Sequence, residues 1–263
     1  LFWIIIVSFN GLVGIVVQPH TMLVVGSAKT EIESRVGQCF GNFIKRFCTV
    51  AWAFVGIGCV AMYTLSELDG HPERAFGQAV TDLLPVGFSG LMLVCVLAAV
   101  MSTCDALMVA GSALFTNHVY ARFLKPNHSE KHYVFVGRVV SFFIVGGGLA
   151  FAYMIKDAKT GLEIFWRANA IIGIAFWMGI MWRRMTAVGA WASSIAALAV
   201  WMTVHFFFPE TPMEWEMLYY LVAGFAAGII GSLLTRPPDS ERIRKFYGKL
   251  AIPVNAEEQN PEE

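Results

Sequence analysis

The sequence predicts an all-α fold: a polytopic membrane helix bundle of about seven transmembrane helices. Three observations carry that expectation. Of the 263 residues, 57% are hydrophobic and 14% charged, against about 25% charged in an average soluble domain. A chain of this size cannot enclose so much apolar surface away from water. The apolar residues are also gathered into runs matching the ~20 residues a helix needs to cross the hydrocarbon core. Finally, Lys and Arg alternate between rich and poor connections, as they do on the two sides of a bilayer.

The runs, in order, are Phe2–Val25, Phe47–Tyr63, Leu84–Tyr120, Val134–Ile155, Glu163–Trp182, Ala187–Phe208 and Trp215–Leu234. The first contains Asn10, Gly11 and Gly14, where glycine permits close packing or a break. The third is too long for one straight span, so its more polar end, Ser112 to Tyr120, is expected to leave the bilayer. Before it, Glu67 to Thr81 reads as a polar loop with a short surface helix. Gly146, Gly147 and Gly148 interrupt the fourth run, where flanking apolar residues rule out a phosphate loop and favour close helix packing. Glu163, Arg167 and Asn169 open the fifth run as a solvated helix end or vestibule lining. His205 and most of the tryptophans sit near run ends, as interfacial residues do.

Fifteen of the 19 basic residues fall in or beside the connections 26–46, 121–133 and 183–186 and the C-terminal tail, leaving Arg74, Lys156, Lys159 and Arg167 for the other side. That places the tail in the cytoplasm and the N-terminal end outside, as an odd number of spans requires. The division is a transmembrane domain, 1–236, and a cytoplasmic tail, 237–263, helical at first and ending in Glu257, Glu258, Glu262 and Glu263. The membrane is a plasma or bacterial inner membrane. The chain opens without Met and without the basic segment of a signal peptide, as a piece beginning partway through a longer protein would.

Nineteen acidic residues balance the basic ones, which gives no basic stripe for nucleic acid. The cysteines (Cys39, Cys48, Cys59, Cys95 and Cys104) form no metal or redox spacing and read as small apolar residues. No metalloprotease helix or nucleophile elbow suggests an enzyme. The third run carries the chemistry. A carboxylate there, Asp105, costs roughly 2.5–3.5 kcal/mol at the bilayer centre and so marks a functional place by default. Ala99, Ser102 and Thr103 stand at i, i+3 and i+4, on one helix face. Two hydroxyls and a freed carbonyl are hard oxygen ligands, suited to a dehydrated monovalent cation. The same hydroxyls can equally serve helix packing and bond their own backbone.

L-A-A-V-M-S-T at 97–103, followed by S-A-L-F-T-N-H-V-Y-A-R-F at 112–123, resembles the signature of the sodium:solute symporter family. Gln18-Pro19-His20, the link Trp182 to Ala190, and Thr235-Arg236-Pro237-Pro238 with Phe246-Tyr247 resemble further family motifs in the family's order. The resemblance implies a LeuT-like architecture of two inverted five-helix repeats with midplane sites at broken helices. This chain would hold the second repeat and two trailing helices, and lack the first repeat. It implies sodium-coupled symport of a small organic solute (amino acid, sugar or carboxylate), with sodium as coupling ion and no cofactor. Ala99, Ser102 and Thr103 take the family's sodium-binding positions. Asp105 stands where some members place a serine for a second sodium, and Asn10 and Gly14 fall on the broken, solute-facing helix. A transporter-like sensor or scaffold, signalling through a cytoplasmic partner, is the alternative from another class.

Overall fold

The computed structural model describes residues 1–251 apart from 65, 127, 156, 238 and 239. All regular structure among them is helical: α1 (Phe2–Ile15), α2 (Pro19–Gly26), α3 (Glu31–Met62), α4 (Ala75–Leu83), α5 (Val86–Leu114), α6 (Glu130–Met154), α7 (Ala158–Met181), α8 (Ala187–Phe207), α9 (Met213–Leu234) and α10 (Ser240–Ala251). A 3₁₀ turn, Pro72–Arg74, precedes α4, and a π-helical stretch, Phe115–Leu124, continues α5. Among the described residues, six helices are long and apolar enough to cross a membrane. The pair α1 and α2, bent by 48° at Val16–Gln18, makes a seventh. This is a polytopic integral membrane protein.

The helix limits depart from the apolar runs where polar residues extend a helix. The second run was expected to start at Phe47, after a loop over 26–46. Instead α3 is continuous from Glu31 for 32 residues, about 48 Å at 1.5 Å per residue and well beyond a ~30 Å hydrocarbon core. Thr30 caps it, its hydroxyl oxygen accepting from Glu33 N–H at 3.2 Å. Glu31 and Glu33 lie at the positive end of the helix dipole. The 67–81 loop does contain a short helix, α4, and the chain turns into it through Asp69 and Gly70, both at positive φ.

The chain folds as two compact units. One comprises Leu1–Met22 with Lys159–Glu263, the other Leu23–Ala158. The first has a buried core drawn from α1, α7, α8 and α9: Ile6, Val13, Ala170, Ile174, Met178, Ala197, Met217, Tyr220 and Leu221 among others. Without a hydrophobic drive between helices in lipid, close packing depends on small residues, and the structure shows which glycines matter. A Cβ on Gly189 of α8 would overlap Ser232 Oγ and lie 2.9 Å from the Gly228 carbonyl oxygen of α9. One on Gly224 would come 2.6 Å from Ile174 Cδ1. One on Gly173 of α7 would overlap the Val13 carbonyl of α1. The turn before α8 is held by Thr186, which caps Gly189 N–H and offers its own N–H to Ser232 Oγ. The tail helix α10 docks here too: Tyr247 Oη donates to the Gly179 carbonyl at 2.7 Å, and Arg183 lies over the Tyr247 ring. The acidic end of the tail lies outside the described residues.

In the second unit, α5 meets α6 near Gly111, whose Cβ would stand 2.9 Å from Ile144 Cδ1. The Gly146–Gly148 triplet is different from expectation. Beyond the backbone of its own helix, no atom of the described residues of its unit lies within 4 Å of where its Cβ atoms would be, so it makes no close helix contact within that unit. The five cysteines are free thiols, with only Cys59 buried.

Candidate functional site

Helix α5 sets the oxygen-rich face. Ala99, Ser102, Thr103 and Asp105 all lie inside it and all are exposed on the chain's surface. Thr103 Oγ1 donates to the Ala99 carbonyl at 3.0 Å, the back-bonding expected of a hydroxyl one turn on. The consequence for cation chemistry is specific. Spending its proton on Ala99 leaves the lone pairs of Thr103 Oγ1 free to meet a cation. The Ala99 oxygen, by contrast, already receives the helical N–H and this hydroxyl, and can join a shell only if one of them lets go. Ser102 shares its face with Asp105, three residues on. The helical run of α5 passes through these residues without a break, from Val86 to Leu114. A cavity of about 640 Å³ lies elsewhere in this unit, between α3 and α4, lined mainly by apolar residues including Trp52, Val55, Val60, Leu68 and Phe76.

Within their own unit, Asn10 and Gly14 are brought against α9 and α7. Asn10 is 2% exposed, and its side-chain oxygen accepts the hydroxyl of Tyr220, which is itself buried. A Cβ on Gly14 would meet the Ala170 nitrogen at 3.0 Å. Trp177 Nε1 donates to the Leu12 carbonyl at 3.3 Å, adding a third tie to α1. Tyr220→Phe would leave the Asn10 acceptor buried without a donor, at a cost of about 1–3 kcal/mol. Thermal unfolding should show it as a clear drop in melting temperature, and an unchanged melting point would count against the bond. At the head of α2, His20 Nδ1 is buried with no hydrogen-bond partner among the described residues. That polar atom lies beside the bend and went unnoticed as more than part of a turn motif.

The fifth run's polar head is not the solvated helix end that its position suggested. Arg167 is 7% and Glu216 5% exposed. Arg167 Nη2 donates to Glu216 Oε2 at 2.9 Å and reaches Glu163 Oε2 at 3.5 Å. Ion pairs inside a membrane bundle are rare and face the bundle interior. Asn169 turns back on its own helix, its amide donating to the Phe165 carbonyl. Glu216 and Tyr220, on the same face of α9, escaped the sequence reading. An acid in the first turn of a helix is ordinarily a dipole partner, and nothing in the spacing announces a partner 49 residues away.

Residues 3–197 match the model of the sodium:solute symporter family. The chain belongs to that family. The family match contains every candidate on α1 and α5, and Arg167, whereas Glu216 and Tyr220 on α9 lie beyond it. Among family relatives, a sodium/proline symporter of Escherichia coli (strain K12) is 30% identical over 208 residues, 73% of this chain and 40% of that protein. A sodium/mannose cotransporter of Bos taurus is 28% identical over 202 residues, 67% of this chain and 34% of that protein. A sodium/myo-inositol cotransporter of Bos taurus is 27% identical over 228 residues, covering 75% and 32% of the two chains. The chain therefore spans between about a third and two fifths of the length of these symporter relatives.

Proposed function

We propose that the protein carries out sodium-coupled symport of a small organic solute. The observation that carries this is the α5 face, where Ser102 and Thr103 place two hydroxyl oxygens a turn from the Ala99 carbonyl, with Asp105 a turn beyond Ser102. Sodium, as the transported ion, needs acceptors only. Thr103 offers lone pairs as it stands, Ser102 adds a second hydroxyl, and Ala99 joins when the Thr103 hydroxyl rotates off its carbonyl. Asp105 supplies the negative charge that lowers the cost of a dehydrated cation at this depth. Family membership supports the same reading. These groups form part of a shell, and further oxygens from outside this face complete it. The architecture we propose is the inverted-repeat one, with this chain holding the second repeat and two trailing helices as a transmembrane domain to residue 236. The lysine and arginine asymmetry supports a cytoplasmic tail over 237–263, in a plasma or bacterial inner membrane.

For the solute, the bend between α1 and α2 is the place we favour. Helix ends there leave backbone groups unpaired, and the His20 nitrogen, without a hydrogen-bond partner among the described residues, adds a further polar group. Asn10 and Gly14 are engaged by α9 and α7 in this state, so they meet solute only when α1 moves off those helices. The relatives named for proline, mannose and myo-inositol support small polar solutes as a class.

Uptake by vesicles carrying the full-length protein tests the reading. With proline, mannose and myo-inositol each offered, transport should rise with a sodium gradient. Ser102→Ala and Thr103→Ala should each raise the sodium requirement about tenfold, or roughly 1.4 kcal/mol, and the double substitution should remove sodium stimulation. Uptake indifferent to sodium and to both substitutions would overturn the proposal.

A further inference from the structure

We propose that His205 and Glu216 form a proton-binding site that ties α8 to α7 and α9. Glu216 has its two oxygens in different circumstances. Oε2 accepts from Arg167, but Oε1 is buried and has no hydrogen-bond partner. The nearest candidate is His205 Nδ1 at 3.7 Å. That is too long for a hydrogen bond, yet within reach of an ion pair once the ring carries a proton.

The charge balance around Glu216 favours one more positive charge. A single buried guanidinium, Arg167, serves two carboxylates, Glu216 and Glu163. Lys159 stands 3.8 Å from Glu163, but its side chain is 85% exposed and screened by solvent. Among the described residues, the neighbouring elements bring no cation other than Arg167 closer to Glu216 Oε1 than His205. Helix α1 has no titratable side chain (Phe2–Ile15). Tyr220 spends its hydroxyl on Asn10. Glu214, two positions from Glu216, points to the other side of α9, and Glu210 lies exposed in the connection before it. Buried charge without compensation is costly, and His205 is the group placed to supply it. Its ring is 55% exposed and sits in the last turn of α8, at the end of the span where interfacial water can deliver the proton. Its inner face stacks on Trp201 at 5.8 Å and 30°, where the indole π-face attracts a cation.

The step is a simple one. A proton from water enters the imidazole, Nδ1–H turns toward Glu216 Oε1, and the same proton returns to water when the contact opens. The contact needs a positive charge on the ring, and imidazole is the side chain that gains one on mild acidification. A proton held by the folded state and released on unfolding stabilises the fold as pH falls. The site uses none of the α5 residues and does not depend on sodium being the transported ion.

Thermal unfolding of the purified full-length protein in nanodiscs between pH 8 and pH 5.5 is the test. The wild type should gain on the order of 2–4 °C as pH falls, and His205→Gln should lose that gain while melting close to the wild type at pH 8. Histidine ¹⁵N spectra supply a second measurement. The resonance pair missing from His205→Gln should show both ring nitrogens protonated at pH 5.5 and one at pH 8. Glu216→Gln, if it folds, should abolish the gain as well. A His205→Gln protein that follows the wild-type pH curve, or a His205 ring still neutral at pH 5.5, overturns the proposal.

Discussion

Gly173→Ala is expected to lower the melting temperature by about 5–10 °C. The added Cβ would overlap the Val13 carbonyl oxygen and lie 2.8 Å from the carbonyl carbon and 3.2 Å from Val13 Cγ1. A side chain in the way can rotate, but two of these three atoms are backbone, so α1 and α7 have to separate. Overpacking typically costs about 1–3 kcal/mol, and a backbone obstacle places this site at the upper end. At roughly 2–4 °C per kcal/mol for a chain of this size, the shift follows. Gly146→Ala or Gly147→Ala is the control. Nothing lies within 4 Å of either new Cβ, and alanine is the better helix former by about 1 kcal/mol. Those proteins should melt at or above the wild-type temperature. Equal behaviour of Gly173→Ala and Gly146→Ala would show that α1 and α7 do not cross as described.

Arg167→Met should cost about 3–5 kcal/mol, the range for stranding one partner of a buried ion pair. The methionine fills much of the same volume, so the loss isolates the charge. Glu216 then keeps a buried carboxylate whose Oε2 has lost its donor and whose Oε1 has no hydrogen bond. Glu216→Met alone should be less harmful, because Glu163 still faces the guanidinium at 3.5 Å. The double substitution Arg167→Met with Glu216→Met should recover most of the loss, since an apolar pair of similar volume often matches a buried ion pair. A thermodynamic cycle through the four proteins measures the coupling. Additive effects would mean that the 2.9 Å contact contributes nothing.

Hydropathy located the spans well because it reports where a helix meets lipid. α8 and α9 start and stop within about two residues of the apolar runs. It failed at α3, whose first sixteen residues are polar or mixed. A different signal was present there, since Thr30 with Glu33 three residues later is the start of a capping box, and the structure shows that cap. The α5 face was legible because its oxygens are local, separated by three and four residues. The Arg167–Glu216 pair was not, because it joins residues 49 apart on helices whose rotation relative to each other leaves no trace in a single sequence. The glycines mark the same boundary. The conspicuous Gly146–Gly148 triplet meets no other helix among the described residues of its unit, while the solitary Gly173 and Gly189 stand at backbone contact. Composition reveals a glycine, and only the path of the opposing helix reveals what it is for.

The seam between α8 and α9 has a mechanical consequence. Gly189, Gly228 and Gly231 bring one backbone onto the other with side chains of almost no size between them, and Ser232 is clasped from the opposite helix by the Thr186 N–H. Helices separated by long flexible side chains can slide by small rotamer adjustments. Here the contact is backbone on backbone, and a slide along the axis would carry the Ser232 side chain and the Ala192 methyl, already 3.2 Å from where a Gly231 Cβ would stand, against backbone that cannot give way. The hairpin is therefore a stiff plate, and any swing of the bundle must carry α8 and α9 together as a single lever.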